Sequence, residues 1–137
     1  MIKTFTLKNF TSFKDETNFT MEADLLSVSE HDNHYIRFLN NDAVLKVASI
    51  YGPNASGKSN FLKGFMYFKT VVLNGTKHLE SREETAANKP IFNDFESFKF
   101  VDQIDNIISF NVSTINERYE IEYGVEIKIT DNEEVIV

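Results

Sequence analysis

Hydrophobic and polar residues alternate at both ends of the chain and follow a helical period in between. Ile2 to Phe10 reads as a strand with Phe5 and Leu7 on one face. Thr17 to Met21 alternates again, with Phe19 and Met21 apolar, and Thr11 to Glu16 joins the two runs as a hairpin connection. Residues 24–42 are mixed and end in the turn signal Asn40-Asn41-Asp42. Ala43 to Tyr51 is a nearly continuous apolar run, expected as a buried strand. From Lys58 to Leu73 the residues Phe61, Leu62, Phe65, Met66, Phe68 and Val72 recur at spacings of three and four, which predicts a helix stopped by Asn74-Gly75.

Beyond the helix, Thr76 to Lys89 is polar and charged and closes at Pro90. It is expected as a loop or short exposed helix, and as the most mobile segment. The last third is β-patterned. Ile108, Phe110 and Val112 alternate with polar residues, and Asn116-Glu117 marks a turn. Tyr119, Ile121, Tyr123, Val125, Ile127 and Ile129 then line one face of a long strand, with Glu120, Glu122, Glu126 and Lys128 opposite. Asp131-Asn132-Glu133 turns into a further strand at Val135-Ile136-Val137. An antiparallel β-layer is therefore expected beside a strand–loop–helix unit, in a mixed α/β chain without internal repeats.

The link between the apolar run and the helix carries the chemistry. Gly52-Pro53-Asn54-Ala55-Ser56-Gly57-Lys58-Ser59 matches G-x-x-x-x-G-K-[ST], the phosphate-binding loop (Walker A) of nucleotide hydrolases. Gly52 and Gly57 permit turns that a Cβ would obstruct. Successive amides between them can point inward and cradle phosphate oxygens. Lys58 supplies a compact positive charge for the β- and γ-phosphates, and the Ser59 hydroxyl is placed to ligate Mg²⁺. The following helix adds its positive dipole end. Chance alone yields such a match on the order of once per few hundred chains of this length, and a preceding strand with a following helix makes chance a poorer account still.

Composition narrows the setting. The 137 residues suggest one domain, expected to be incomplete. Thirteen Phe and five Tyr, with neither Trp nor Cys, imply an aromatic core without disulfides or thiolate metal sites. No segment resembles a signal peptide and no apolar run approaches about 18 residues, so a soluble cytoplasmic protein without membrane attachment is expected. The net charge of −7 argues against a large basic nucleic-acid surface without excluding a local patch, and Lys3, Lys8 and Lys14, in one short region, are expected as a solvated strand face. His31 and His34 beside Asp32 have metal-ligand types, but no second cluster accompanies them, and a polar loop is the expected reading.

The segment Gly52 to Asn60, with Asn54 inside the loop and Asn60 just after Ser59, resembles the G-x-N-x-S-G-K-S-N loop of ABC-type ATPases in the SMC, RecF and RecN group. The opening Leu7-Lys8-Asn9-Phe10-Thr11-Ser12-Phe13-Lys14-Asp15-Glu16 is similar to the first-strand motif of that group, and Phe19-Thr20-Met21-Glu22-Ala23 fits its continuation. The overall likeness is to bacterial AAA-family ATPases with an ABC-like head, many of them in phage-defence and abortive-infection systems. The resemblance implies a P-loop NTPase fold, ATP and Mg²⁺ as ligands, contacts from Gly52 through Asn60, and a partner head or homo-oligomer in the full-length protein.

Two departures matter. The family usually carries Arg or Lys where Thr11 stands, a residue that often approaches the nucleotide. The chain also lacks a clear Walker B strand: Phe98-Lys99-Phe100-Val101-Asp102 is the nearest, and Lys99 interrupts it. No Ser-Gly-Gly-type signature is present, His78 sits in a polar stretch, and the surroundings of Gln103 do not mark it as the lobe-linking glutamine. Catalytic residues are therefore unassigned. Lys58 and Ser59 are expected to bind ATP·Mg²⁺ without hydrolysing it efficiently, since phosphoryl transfer needs a positioned water and a second Mg²⁺ anchor.

The expectation is an N-terminal ATPase lobe, either truncated within its last strand or a split subunit. A nucleotide-dependent assembly module without its own hydrolysis is the first alternative. The ATPase portion of an overcoming-lysogenization-type nuclease is the second. No Asn-Lys-x-Asp guanine-reading run occurs, since Asn88-Lys89-Pro90-Ile91 lacks the Asp.

Overall fold

The computed structural model describes residues 1–24, 33–39, 41–74, 107–129 and 134–136. Its strands are β1 (Ile2–Lys8), β2 (Thr17–Thr20), β3 (Tyr35–Arg37), β4 (Ala43–Leu45), β5 (Ile107–Ile115), β6 (Glu120–Ile129) and β7 (Glu134–Ile136), and its helix is α1 (Lys58–Asn74). Five strands form one sheet in the order β2-β1-β5-β6-β7, with every neighbour antiparallel. The expected N-terminal hairpin is present, with Phe5 opposite Phe19 and Leu7 opposite Thr17. β3 and β4 pair separately.

α1 lies against one face of the sheet because the alternation of β1, β5 and β6 delivers Phe5, Leu7, Ile108, Phe110, Val112, Val125 and Ile127 to that face. There they bury with Phe61, Tyr67, Phe68 and Val71 of the helix. Leu62, Met66 and Val72 are apolar yet exposed. The buried helical stripe runs instead through Phe61, Gly64, Phe68 and Val71, and at Gly64 an added Cβ would lie 3.2 Å from both the Leu7 and Phe10 side chains. Tyr67, which the spacing did not single out, is buried beside Phe110 with ring centroids 5.6 Å apart.

Two expectations need correction. The buried strand over Ala43–Tyr51 is a strand only at Ala43–Leu45, while Val47 and Tyr51 are 76% and 86% exposed. A strand exists only where a partner accepts its hydrogen bonds. Here β3 supplies three residues, and the last pairing is Lys46 N–H to His34 O at 2.8 Å. Past that point, one side of the segment lines an apolar groove of about 470 Å³ with Phe19, Phe61, Leu62 and Phe65.

The second correction concerns β6. Val125 and Ile127 are buried, but Tyr119, Ile121 and Tyr123 on the same face are 65%, 55% and 49% exposed. At this end of the strand Phe68 of α1 meets Tyr123 edge-on. β5 pairs with β6 without a break, so Ser113 lies on the face away from α1, where it is buried and donates to Glu120 Oε1 at 2.7 Å. The register against β1 shifts between Ile2 and Thr4, which makes Lys3 the extra residue of a bulge in β1.

Glu120 belongs to an ionic cluster. Lys3 Nζ stands 3.0 Å from Glu120, 3.2 Å from Asp42 and 3.4 Å from Glu22. One ammonium thus joins β1 and β6 to the segments that flank β4. The Glu120 hydrogen bond, with further ones to Asp42 and Glu22, raises the Lys3 pKa above its ordinary 10.5 against the cost of burial. The Ser113 hydroxyl, then Lys3, holds Glu120 below its ordinary 4.5. The lysine contribution is complete below 10.5 and fades as pH climbs through the raised value. The glutamate contribution is complete above 4.5 and fades as pH falls through the lowered one. Lys3→Met should therefore lower the thermal midpoint by on the order of 2–5 °C near neutral pH. Melts from acid to alkaline pH should show that gap closing at both extremes.

No helix among the described residues is long and apolar enough to cross a membrane. The expectations for Thr76–Lys89, Phe98–Asp102, Gln103, His31, Asp32, Asp131–Glu133 and Val137 fall outside the described residues. Within them, no group of three or more His, Asp or Glu residues could hold a metal ion.

Candidate nucleotide-binding loop

The loop runs from the end of the apolar segment into the first turn of α1. Pro53 O accepts a bond from Ser56 N–H at 3.3 Å, and Gly57 O accepts the first helical bond from Phe61 N–H at 2.8 Å. Ala55 has φ 63°, and Gly57 has φ 91°, a conformation that favours glycine. Gly52 has φ 157°, where a side chain would be strained, and a Cβ there would stand 2.7 Å from Ser56 Oγ, which would have to rotate away. Right- and left-handed residues in succession curl the backbone into a concavity of the kind that binds anions.

Charge is arranged to match. Lys58 donates from Nζ to Gly52 O at 2.8 Å, to Pro53 O at 2.6 Å and to Ser56 Oγ at 3.4 Å, which folds the side chain back over the loop. The first turn of α1 holds no acidic residue. A cation and a positive helix end thus face the same space without a carboxylate on the helix to cancel them. Ser59 is exposed at the second helical position, and Gly52 through Ser56 are exposed as well. The structure thus brings Gly52, Pro53, Asn54, Ala55, Ser56, Gly57, Lys58 and Ser59 into one contiguous cradle. A curled backbone, one lysine, two hydroxyls and open access suit a phosphate chain with its counter-cation.

Asn60 is placed differently. Its amide donates to Ser12 Oγ at 3.1 Å, away from the loop backbone. Ser12 and Phe13 come from the tip of the β1–β2 hairpin and crowd Gly57, whose missing Cβ would lie 3.0 Å from Ser12 Oγ and 3.2 Å from Phe13 Cζ. Thr11, where the related motif has a basic residue, has φ 48° and a buried hydroxyl without a hydrogen-bond partner. Sequence reasoning joined the hairpin motif to the loop only by resemblance and weighed Thr11. The contact is made by its neighbours, and no periodicity marks a pairing 48 residues apart.

A family model described as "AAA domain, putative AbiEii toxin, Type IV TA system" matches residues 47–136. The chain belongs to this AAA-domain family. The match takes in the loop, α1 and the last three strands, about two thirds of the chain. Comparison with curated proteins and with solved structures finds no match. Membership makes this AAA domain a nucleotide-binding, P-loop ATPase-like unit, and AAA P-loop ATPases in general use ATP and Mg²⁺. The mixed α/β architecture with its antiparallel sheet accords with that assignment.

Proposed function

We propose that this AAA domain is the ATP·Mg²⁺-binding lobe of an ABC/SMC-like ATPase head, working in a phage-defence or DNA-transaction machine. The observation that carries the reading is the loop itself, in which Lys58 and the start of α1 face a backbone cradle that glycine alone can form at positions 52 and 57. The defence setting is supported by the toxin named in the family description and by the sequence resemblance.

The residues divide the work by chemistry. Amides between Gly52 and Gly57 would hold phosphate oxygens, and Lys58 would exchange its bonds to Gly52 O and Pro53 O for bonds to the β- and γ-phosphates. The Ser59 hydroxyl would hold Mg²⁺, which neutralises phosphate charge when bound. A second lobe or a partner head would supply the carboxylate and the water-positioning group.

Calorimetric titration with ATP, with and without Mg²⁺ and against adenosine as control, tests the reading. ATP should bind, adenosine should bind far more weakly, and Mg²⁺ should strengthen ATP. Ser59→Ala should remove most of the Mg²⁺-dependent gain, about tenfold in Kd, and leave metal-free binding within about twofold. Equal affinity for ATP and adenosine would overturn the assignment.

A further inference from the structure

We propose that the tip of the β1–β2 hairpin is a tether that sets the shape of the phosphate loop, with Ser12 and Asn60 as its positioning residues. The inference rests on the nucleotide-loop reading above and assigns Asn60 a role through Ser12 instead of on the nucleotide.

The tip is stiff. Phe10 and Phe13 exchange backbone bonds, Phe10 N–H to Phe13 O at 2.9 Å and Phe13 N–H to Phe10 O at 2.8 Å. Asn9 N–H donates to Lys14 O at 3.2 Å, and Asn9 and Thr11 both adopt left-handed backbone, φ 55° and 48°. The whole turn is fastened to the sheet by the buried Asn9, whose side-chain amide donates to Ile107 O of β5 at 3.0 Å. Stiffness matters because of what the tip touches. Gly57 is the joint between loop and helix, and the space its Cβ would fill is occupied by Ser12 Oγ and Phe13 Cζ. Asn60, three residues on, closes the contact through its 3.1 Å bond to Ser12. The Phe13 ring also meets Phe61 edge-on, with centroids 6.5 Å apart.

A continuous path therefore runs from β5 through Asn9 and the tip to both sides of the loop–helix joint. A loop of exposed residues with glycines at its two ends has backbone freedom to lose on binding a ligand. A contact that removes this freedom in advance strengthens binding without touching the ligand.

The test uses Ser12→Ala, Asn60→Ala, the double variant and Ser12→Thr, which keeps the hydroxyl. Amide hydrogen exchange in nucleotide-free protein is the first readout, and calorimetric ATP affinity is the second. Each alanine variant should speed exchange over residues 52–58 about fivefold, leave β1 and β5 amides unchanged, and weaken ATP about fivefold. The double variant should be no worse than either single one, because one bond is lost in every case. Ser12→Thr should stay near wild type. Unchanged loop exchange in both single variants would overturn the tether. So would additive losses in the double variant, or faster exchange spread equally over β1 and β5. Failure of the nucleotide reading would look different: ATP would bind Lys58→Ala as well as wild type, while loop exchange would still decide the tether.

Discussion

Lys58→Ala will weaken ATP binding by at least about 100-fold, the equivalent of about 3 kcal/mol, in calorimetry with Mg²⁺ present. The loop loses its only lysine, in a site that otherwise offers neutral amides and hydroxyls to a polyanion. The bonds of Nζ to Gly52 O at 2.8 Å and to Pro53 O at 2.6 Å belong to the free loop and would be given up to phosphate oxygens, so they do not add to the loss. Lys58→Arg should fail too, because a planar guanidinium does not replace a compact ammonium in a cradle of this size. The thermal midpoint should stay within about 2 °C of wild type, because the loop is exposed and contributes little to the core. An affinity within about threefold of wild type would remove the phosphate-loop assignment.

Phosphate chemistry made the loop legible in the sequence. The motif calls for glycine where the backbone turns tightly and a lysine just inside the helix, and the structure has positive φ at Gly52 and Gly57 and Lys58 folded back onto Gly52 O. The helix and the β-layer were legible for a different reason. Burial on one face imposes a period, and Phe5, Leu7, Ile108, Phe110, Val125 and Ile127 follow it.

Where the sequence misled, the missing information was the identity of a partner. Ala43 to Tyr51 has the apolar content of a buried strand, but β3 pairs with only its first three residues. Tyr119, Ile121 and Tyr123 keep the alternation of β6 yet stay exposed, while Val125 and Ile127 on the same face are buried. Ser113 is buried on the face away from α1 and bonded to Glu120, a partner that apolar spacing does not reveal. Ser12 was passed over on the same principle. A serine in a turn looks solvated until the opposite wall, here Gly57 and Asn60, is known.

Phe5→Ala should cost about 3–5 kcal/mol of stability and lower the thermal midpoint by roughly 10–20 °C. The ring is 1% exposed and sits where sheet and helix meet. It packs edge-on against Phe61 and Phe65 at centroid distances of 5.6 and 5.1 Å, lies 5.9 Å from Phe68, and stacks at 6.3 Å with Phe110. Its neighbours belong to two different elements, so no single side chain can swing in to fill the space, and the cavity term adds to the lost transfer energy. Phe5→Leu keeps most of the volume and should lose less than half as much. Chemical denaturation monitored by circular dichroism checks both variants. Below the melting temperature Phe5→Ala should still bind ATP, since Lys58 and the loop remain in place. It would thus be the mirror image of Lys58→Ala, which spares stability and removes binding. A loss under about 1 kcal/mol would mean that the face of α1 carrying Phe61, Phe65 and Phe68 does not rest on β1 in solution.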